Sequence, residues 1–253
     1  MKAHERWWSD RLQQHFGVAR WGHFGTPVLL FPTAGGDEHE VERNRLIEAC
    51  GDLLEAGRIK IYSCDSVAGR AIAQGTGTPQ YRMWLLNQFH DAVRREVVPA
   101  IHADVQGDQP IVVAGASVGA FNSVAVLARY PDVFSAAIAM SGTYNLERWM
   151  EGEFSDDLYF ASPLRFLPGL EGTQLDLLRQ RRVILASGQG EWENIGESWT
   201  MASALGAKGV PNRVDPWGTE WKHDWPTWWR MLPAYLDELC PCLLYTSPSP
   251  RDS

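Results

Sequence analysis

The fold is decided by the segment VVAGASVGAF at residues 112–121. An apolar, β-branched run leads into the pentapeptide GASVG, and an apolar helical pattern follows it. A serine on a very tight strand-to-helix turn needs small residues two positions away on both sides, because larger side chains would make the backbones collide. The segment therefore predicts a nucleophile elbow, with Ser117 at its tip and Gly115 and Gly119 as its small neighbours.

Around this segment, strand-like runs alternate with helical patterns. The predicted strands are residues 27–32, 58–63, 110–114, 135–140, 182–186 and 212–215, with residues 18–23 as an antiparallel edge strand. The predicted helices are residues 41–53, about 83–101 and 118–130. This alternation predicts an α/β fold, in which helices cover both faces of a mostly parallel, twisted sheet.

The length of 253 residues suits a single domain, which we expect to span residues 1–241. Residues 142–181 are rich in aromatic residues and lack regular periodicity. Segments of that size are often lids, and the alternative is a surface excursion that packs its own aromatic side chains. Residues 242–253 have no periodicity and resemble the translation of a sequencing-library adapter, so we expect a disordered tail that is foreign to the fold.

Composition argues against several classes of partner. The net charge of −8 disfavours nucleic acid and anionic membranes. No apolar run approaches the ~18–20 residues that span a bilayer, and the N-terminus lacks the apolar core of a secretory signal. The four cysteines lack zinc-ligand spacing and are simplest to explain in a reducing cytoplasm. We find no phosphate-binding glycine pattern and no cluster of metal ligands, so no cofactor and no metal is predicted.

Candidate catalytic residues follow the predicted strands, at the carboxyl edge where sites of parallel sheets form. Ser117 follows one strand, Glu191 and Glu193 follow a later one, and His223 follows the last. A serine hydroxyl is a weak nucleophile, so a histidine must take its proton, while a carboxylate fixes the imidazole tautomer. Spacing alone does not choose between the two glutamates; Asp224, adjacent to His223, is expected to point elsewhere.

His223 is the best candidate base because it alone lies late in the chain, beyond the last predicted strand. The other histidines lie near the N-terminus, near a helix start, or in or just after the long helix: His4, His15, His23, His39, His90 and His102. The same region holds five tryptophans: Trp217, Trp221, Trp225, Trp228 and Trp229. We expect packing of the final helix to explain most of them, with one or two reaching the cleft.

An oxyanion hole needs two backbone N–H groups. In this arrangement one comes from the residue after the nucleophile, Val118, and the other from the loop after an early strand. That loop is TAGG at residues 33–36, where we favour Ala34 over Gly35 as the donor. The alternative is that the loop is only a flexible turn before a helix.

Together, the PTAGG loop, the elbow, GQGEWE at residues 188–193 and DPWG…HDW at residues 215–225 resemble the "Putative esterase" family of α/β-hydrolases. The resemblance extends to about Leu239, and this family includes enzymes similar to feruloyl esterases, S-formylglutathione hydrolases and mycolyltransferases. It implies an α/β-hydrolase fold and hydrolysis of carboxylic esters. Its Gly-Gln-Gly-x-Trp-Glu pattern implies that Glu193 is the triad acid, with Glu191 in reserve.

Three functions compete at this point. The first is a serine esterase that acts on a small-molecule ester through an acyl-enzyme, with Ser117, His223 and Glu193 as the triad and Ala34 and Val118 as the oxyanion hole. The second is an acyltransferase with the same triad, in which an alcohol replaces water. The third is a non-catalytic binding domain of the same fold, which the presence of all three triad residue types in order argues against.

Overall fold

The computed structural model of the chain describes residues 2–152 and 154–241. Over this range the chain forms one sheet of eight strands in the order β1-β2-β4-β3-β5-β6-β7-β8. The strands are β1 Lys2–Ser9, β2 Gln14–Trp21, β3 Thr26–Phe31, β4 Ile59–Cys64, β5 Ile111–Ala116, β6 Phe134–Met140, β7 Arg182–Ser187 and β8 Asn212–Pro216. The predicted tail, residues 242–253, lies outside the described residues.

Helices connect these strands. Those longer than seven residues are α4 Val67–Gln74, α5 Pro79–Ala92, α6 Val98–Val105, α7 Val118–Arg129, α11 Ile195–Ala207 and α12 Trp225–Leu239. The shorter ones are α1 Glu40–Arg43, α2 Leu46–Ala49, α3 Gly51–Glu55, α8 Asp156–Ala161, α9 Pro163–Phe166 and α10 Gly172–Leu178. In the described part of the chain, no helix has both the length and the hydropathy needed to cross a membrane.

The sheet is mostly parallel and buries both faces, as expected for an α/β-hydrolase fold. From β4 to β8 every neighbouring pair is parallel, whereas β1 and β2 pair antiparallel. Alternate residues of β5 belong to different cores: Val112 and Ala114 pack with α12, and Val113 packs with α5 and α7. Apolar burial on both faces explains why the central strands read as continuous apolar runs.

At the edge of the sheet the structure corrects the sequence-based expectation. The antiparallel strand predicted at residues 18–23 is β2, and it is second from the edge, because β1 pairs with it along its whole length. The sequence of β1, KAHERWWS, carries little apolar alternation since most of the strand is exposed. Its strand conformation depends on pairing in the hairpin.

Two predicted helices are also interrupted. The first breaks at Arg45, whose φ of +61° lies in the left-handed region, next to Asn44, whose carbonyl accepts a hydrogen bond from Trp229 Nε1 at 2.6 Å. Between α5 and α6 the chain forms a π-helical segment, Val93–Val97. Pro99 lacks an N–H and its ring would clash with the carbonyl four residues earlier, which accounts for the wider turn.

Residues 142–181, expected to be irregular, contain α8, α9 and α10 together with the short 3₁₀ helices Glu147–Trp149 and Leu167–Gly169. Two side chains of α5 hold this segment: Arg82 Nη2 donates to Trp149 O at 2.9 Å, and Asn87 Nδ2 donates to Asp157 O at 3.0 Å. Its identity as a lid stays a prediction.

Candidate active site

Ser117 occupies the turn between β5 and α7. Its φ of 58° and ψ of −118° lie in a region that residues with a side chain rarely adopt. The turn is held by hydrogen bonds: Ser117 N donates to Met140 O at 3.0 Å, and Ser117 O accepts from Ala120 N at 3.1 Å. These bonds keep Ser117 in a strained conformation, and its side chain stays partly exposed at the carboxyl edge.

The two glycines of the pentapeptide are required by backbone contacts. A Cβ on Gly115 would lie 2.5 Å from the carbonyl carbon of Gly119. A Cβ on Gly119 would lie 2.8 Å from Pro32 O and closer still to Phe31 O. All of these distances are shorter than van der Waals contact. The elbow can therefore pack against the end of β3 only because Gly115 and Gly119 have no side chain.

The loop after β6 connects the serine to the later part of the site. Thr143 N donates to Ser117 O at 3.4 Å, and Ser141 N donates to Ala186 O at 2.7 Å. Ser141 has a φ of +49°, which is again the left-handed region. This loop therefore connects the turn that carries Ser117, by hydrogen bonds, to the end of β7. The loop that carries Glu191 and Glu193 begins there.

Glu193 and His223 lie together. Glu193 Oε2 is 3.6 Å from His223 Nδ1, and the Glu193 side chain is 1% exposed while that of His223 is 24% exposed. The separation is slightly longer than a hydrogen bond. With Nδ1 facing the carboxylate, Nε2 is the nitrogen left to face a substrate.

Polar side chains from three elements surround the buried Glu193 carboxylate. Ser141 Oγ donates to Oε1, and Ser187 Oγ lies 3.2 Å from Oε2. Trp228 Nε1, on α12, donates to Ser141 Oγ at 2.9 Å, and the Trp228 ring stands edge-on to the His223 ring with centroids 5.3 Å apart. A buried carboxylate needs such hydrogen bonds to remain charged.

The other acidic candidates point away from His223. Glu191 Oε2 lies 3.0 Å from Lys222 Nζ, and both side chains are more than half exposed. Glu191 contributes to the site only through its carbonyl, which accepts from His223 N at 3.1 Å. Asp224 caps α12, accepting from Thr227 N at 3.2 Å. The geometry therefore favours Glu193 over Glu191, the choice that residue spacing alone left open.

Close backbone contact aligns the loops that carry Glu193 and His223. Gly190 N donates to Trp221 O at 2.9 Å, and Gln189 N donates to Gly218 O at 2.9 Å. A Cβ on Gly190 would lie 2.6 Å from Trp221 O, and a Cβ on Gly188 would be similarly obstructed. The glycines of the Gly-Gln-Gly segment thus permit the two loops to meet.

The predicted oxyanion residues lie on adjacent elements. Val118 is the first residue of α7, so its N–H has no acceptor within the helix. Ala34 lies in the turn closed by Gly36 N and Thr33 O at 3.2 Å, and Glu40 accepts from both Thr33 N and Thr33 Oγ1 at 2.8 Å. The contact of Gly119 with the end of β3 joins the start of α7 to the strand that leads into this turn.

Packing accounts for most of the tryptophans near His223. Trp228 is 4% exposed in the core under α12, and Trp217, Trp225 and Trp229 pack against the same core. Trp217 Nε1 also donates to the Tyr235 hydroxyl at 2.7 Å. Trp192, which the sequence did not single out, is 83% exposed beside Glu193 and has a φ of +68°.

Sequence reasoning missed the residues that contact the Glu193 carboxylate. Ser141 and Ser187 both stand at the carboxyl ends of strands, β6 and β7, where polar residues are expected to gather. That position is the signal that would have selected them. Trp228 carried no comparable signal, because its indole reaches Ser141 from a helix 87 residues further along the chain.

A parallel sheet with a serine at a strained elbow after β5 is the architecture of an α/β-hydrolase. Residues 30–237 match the family model described as "Putative esterase", and the chain belongs to that family. It is therefore a serine carboxylic-ester hydrolase. No curated protein sequence matches the chain.

Solved structures of esterases share the fold. A ferulic acid esterase is 15% identical with a TM-score of 0.71, covering 95% of this chain and 97% of its own. An S-formylglutathione hydrolase from Staphylococcus aureus is 14% identical with a TM-score of 0.62, covering 95% and 96%. A fluorophosphonate-binding serine hydrolase from the same organism is 15% identical with a TM-score of 0.67, covering 95% and 98%.

Proposed function

We propose that this protein hydrolyses small-molecule carboxylic esters through an acyl-enzyme formed on Ser117, with His223 as general base and acid and Glu193 as the residue that orients it. The observation that carries the proposal is the pairing of the buried Glu193 carboxylate with His223 Nδ1 at 3.6 Å. The exposed Glu191, which faces Lys222, has no comparable contact with the imidazole. The loop after β6, whose Thr143 N donates to Ser117 O and whose Ser141 Oγ donates to Glu193, supports including Ser117 in this site.

In acylation, Ser117 Oγ attacks the ester carbonyl carbon while its proton passes to His223 Nε2. The carbonyl oxygen becomes an oxyanion, which the N–H groups of Ala34 and Val118 stabilise. Glu193 stabilises the imidazolium and keeps Nδ1 protonated, so that Nε2 is free to accept. Collapse of the tetrahedral intermediate breaks the bond to the alcohol oxygen, which takes the proton from His223 Nε2.

Deacylation repeats these roles with water in place of serine. Water adds to the acyl carbon as His223 Nε2 takes its proton, and the second intermediate expels Ser117 Oγ, which regains the proton from the imidazolium. The products are a carboxylic acid and an alcohol. An added alcohol would compete with water at this step, which is the chemistry of the acyltransferase alternative.

Cysteine is a poorer candidate for the nucleophile in the described part of the chain. Cys50, Cys64 and Cys240 are free and buried there. Burial raises the pKa of the Cys50 thiol to about 12 and raises the pKa of Cys64 well above its usual value. A thiolate is required for attack, so these thiols are inert. Free thiols also fit the predicted cytoplasmic location.

The nucleophile is tested with Ser117→Ala. We expect kcat for p-nitrophenyl acetate to fall by about 10⁴-fold or more, because a triad that lacks its nucleophile retains only oxyanion and binding effects. A fluorophosphonate probe should label the folded wild-type protein at Ser117 and leave the variant unlabelled. Hydrolysis near the wild-type rate in the variant would contradict the assignment.

The acid is tested with a matched pair of variants. Glu193→Gln should lower kcat by about 10³–10⁴-fold, because an amide stabilises the wrong imidazole tautomer. Glu191→Gln removes an equal charge from the same loop, exposed at a surface ion pair, and should change kcat less than about twofold. The reverse ranking would transfer the role to Glu191.

The acyl-enzyme is tested by partitioning. Acetyl esters with different leaving groups are hydrolysed in the presence of methanol, and the ratio of methyl acetate to acetate is measured. A common acyl-enzyme requires the same ratio for every leaving group. Ratios that vary with the leaving group would overturn the covalent route, and a ratio dominated by methyl acetate at low methanol would favour acyl transfer.

A further inference from the structure

A second cluster of chemically active side chains joins the N-terminal hairpin to the loop after β3. His4 on β1 approaches Glu38, with Nε2 at 2.9 Å from Oε1. The rings of His4 and His39 have centroids 4.8 Å apart. One nitrogen of each histidine and one oxygen of Glu38 all lie within 4.8 Å of one another.

Two features distinguish this cluster from a surface histidine pair. Glu38 is 8% exposed, and its carboxylate rests on Gly17 of β2, where a Cβ would lie 2.6 Å from the carboxyl carbon. His39 Nδ1 is buried and makes no hydrogen bond within the described residues. A buried polar atom without a partner calls for an explanation, and binding of a cation would provide one.

The charged side chains around the cluster leave it available to a cation. Lys2 pairs with Glu42, and Arg43 pairs with Asp37, so each of these neighbouring cations already has a carboxylate partner. Glu42 Oε2, the partner of Lys2, lies 4.0 Å from His39 Nδ1.

We propose that His4, Glu38 and His39 bind a divalent transition metal of the zinc class, at a site separate from the Ser117, Glu193 and His223 side chains. Two imidazoles and a carboxylate are the ligand set that zinc accepts, with a fourth position left for water. Zinc–ligand bonds of about 2.1 Å place tetrahedral ligand atoms about 3.4 Å apart. The partly exposed His4 and His39 side chains must therefore move so that ligand atoms now within 4.8 Å of one another come closer by up to about 1.4 Å.

Such a metal would act on structure rather than in ester hydrolysis. It would link β1 to the loop that begins with Thr33 and Ala34, and so would fix the N-terminal hairpin against that loop. The ligands come from positions 4, 38 and 39, which match no short metal-binding spacing. This separation explains why the sequence predicts no metal here.

The test uses the full chain without a polyhistidine tag, stripped with EDTA and returned to metal-free buffer at pH 7.5. Zinc chloride is titrated by calorimetry, and cobalt chloride is titrated by visible absorption, because tetrahedral Co²⁺ with nitrogen ligands absorbs strongly. We expect one ion per chain and a higher unfolding midpoint with metal. His4→Ala and His39→Ala should each weaken binding by about tenfold or more.

His15→Ala and His23→Ala are the matched controls, since each removes an exposed histidine outside the cluster. Both should bind zinc as tightly as the wild type. Metal-free circular dichroism establishes that each variant is folded, and fluorophosphonate labelling of Ser117 checks the catalytic site independently. Absence of stoichiometric zinc binding in the wild type, or wild-type affinity in both His4→Ala and His39→Ala, would mean that the cluster is only a hydrogen-bonded His–Glu pair and would overturn the proposal.

Discussion

Replacing Ser141 by alanine tests the positioning of Glu193, the proposed triad acid, with little change to the packing of the core. Ser141 is 3% exposed, and its hydroxyl has two partners: it donates to Glu193 Oε1 and accepts from Trp228 Nε1. Alanine removes both bonds and little else, because only one oxygen atom is lost. The carboxylate then keeps Ser187 as its remaining hydroxyl neighbour.

The magnitude follows from these two bonds. A hydrogen bond to a charged group contributes about 1.5–3 kcal/mol, and a buried N–H left without a partner costs about 1–3 kcal/mol. We therefore expect Ser141→Ala to lower the free energy of unfolding by about 4 kcal/mol. Domains of this type have about 5–15 kcal/mol in total, so the variant should remain folded for kinetic measurement. Urea unfolding followed by tryptophan fluorescence gives the value.

Glycine at the same position separates the effect of losing the hydroxyl from the effect of backbone strain. Ser141 has a φ of +49°, where a residue with a Cβ is strained by about 1 kcal/mol and glycine is not. Ser141→Gly should therefore be about 1 kcal/mol more stable than Ser141→Ala. Both variants should lose the same activity, because both lack the hydroxyl.

We expect kcat for p-nitrophenyl acetate to fall about tenfold in Ser141→Ala, which corresponds to about 1.4 kcal/mol of lost orientation of Glu193. The same substitution in a Glu193→Gln background should cause almost no further loss, since the two residues act through one contact. Unchanged kcat in the single variant, or an equal loss in both backgrounds, would refute the positioning role.

Three further changes test other parts of the structure. Gly119→Ala should lower the free energy of unfolding in urea by about 3 kcal/mol or more, because its Cβ would meet backbone carbonyls. Gly107→Ala is the control: the space around Gly107 is open, so the free energy of unfolding should change by less than about 0.5 kcal/mol. Burial lowers the pKa of His90 to about 3 from 6.5, so between these values the unfolded chain binds a proton that the folded chain does not. The free energy of unfolding should therefore fall by about 3 kcal/mol from pH 7 to 4.5. His90→Gln should make the free energy of unfolding depend less steeply on pH over this range. Trp192→Gly should raise the free energy of unfolding by about 1 kcal/mol, because glycine adopts the positive φ of this position without strain. A raised KM for aryl esters in the same variant would show that the exposed Trp192 ring contacts substrate.

The parts of the fold that were predicted correctly are those in which local sequence and burial agree. Strands β3 to β8 lie within two residues of their predicted positions, and apolar layers cover both faces of β3 to β7. Ser117 was predicted at the elbow because its two glycines are a steric requirement, and the contacts of Gly115 and Gly119 bear out that requirement.

The parts that were missed depend on contacts distant in sequence. β1 is held by pairing with β2, and its exposed face gives no apolar pattern. The break before α2 coincides with a hydrogen bond from Trp229, 185 residues away from Asn44. Residue spacing alone did not choose between Glu191 and Glu193, because the spacing of two glutamates in one loop does not reveal which carboxylate is buried; Glu193 was the choice that the family resemblance implied.

The hydrogen-bond chain around the acid has only one direction. An indole N–H donates and cannot accept, so Trp228 fixes Ser141 Oγ as its acceptor. The single Ser141 proton is then left for Glu193 Oε1, which accepts it. Glu193 Oε2, which accepts from Ser187 Oγ, also faces His223 Nδ1. Trp228, on the last helix, therefore determines the direction in which the Ser141 hydroxyl donates its proton. Through that hydrogen bond it also orients the Glu193 carboxylate, which we propose as the triad acid.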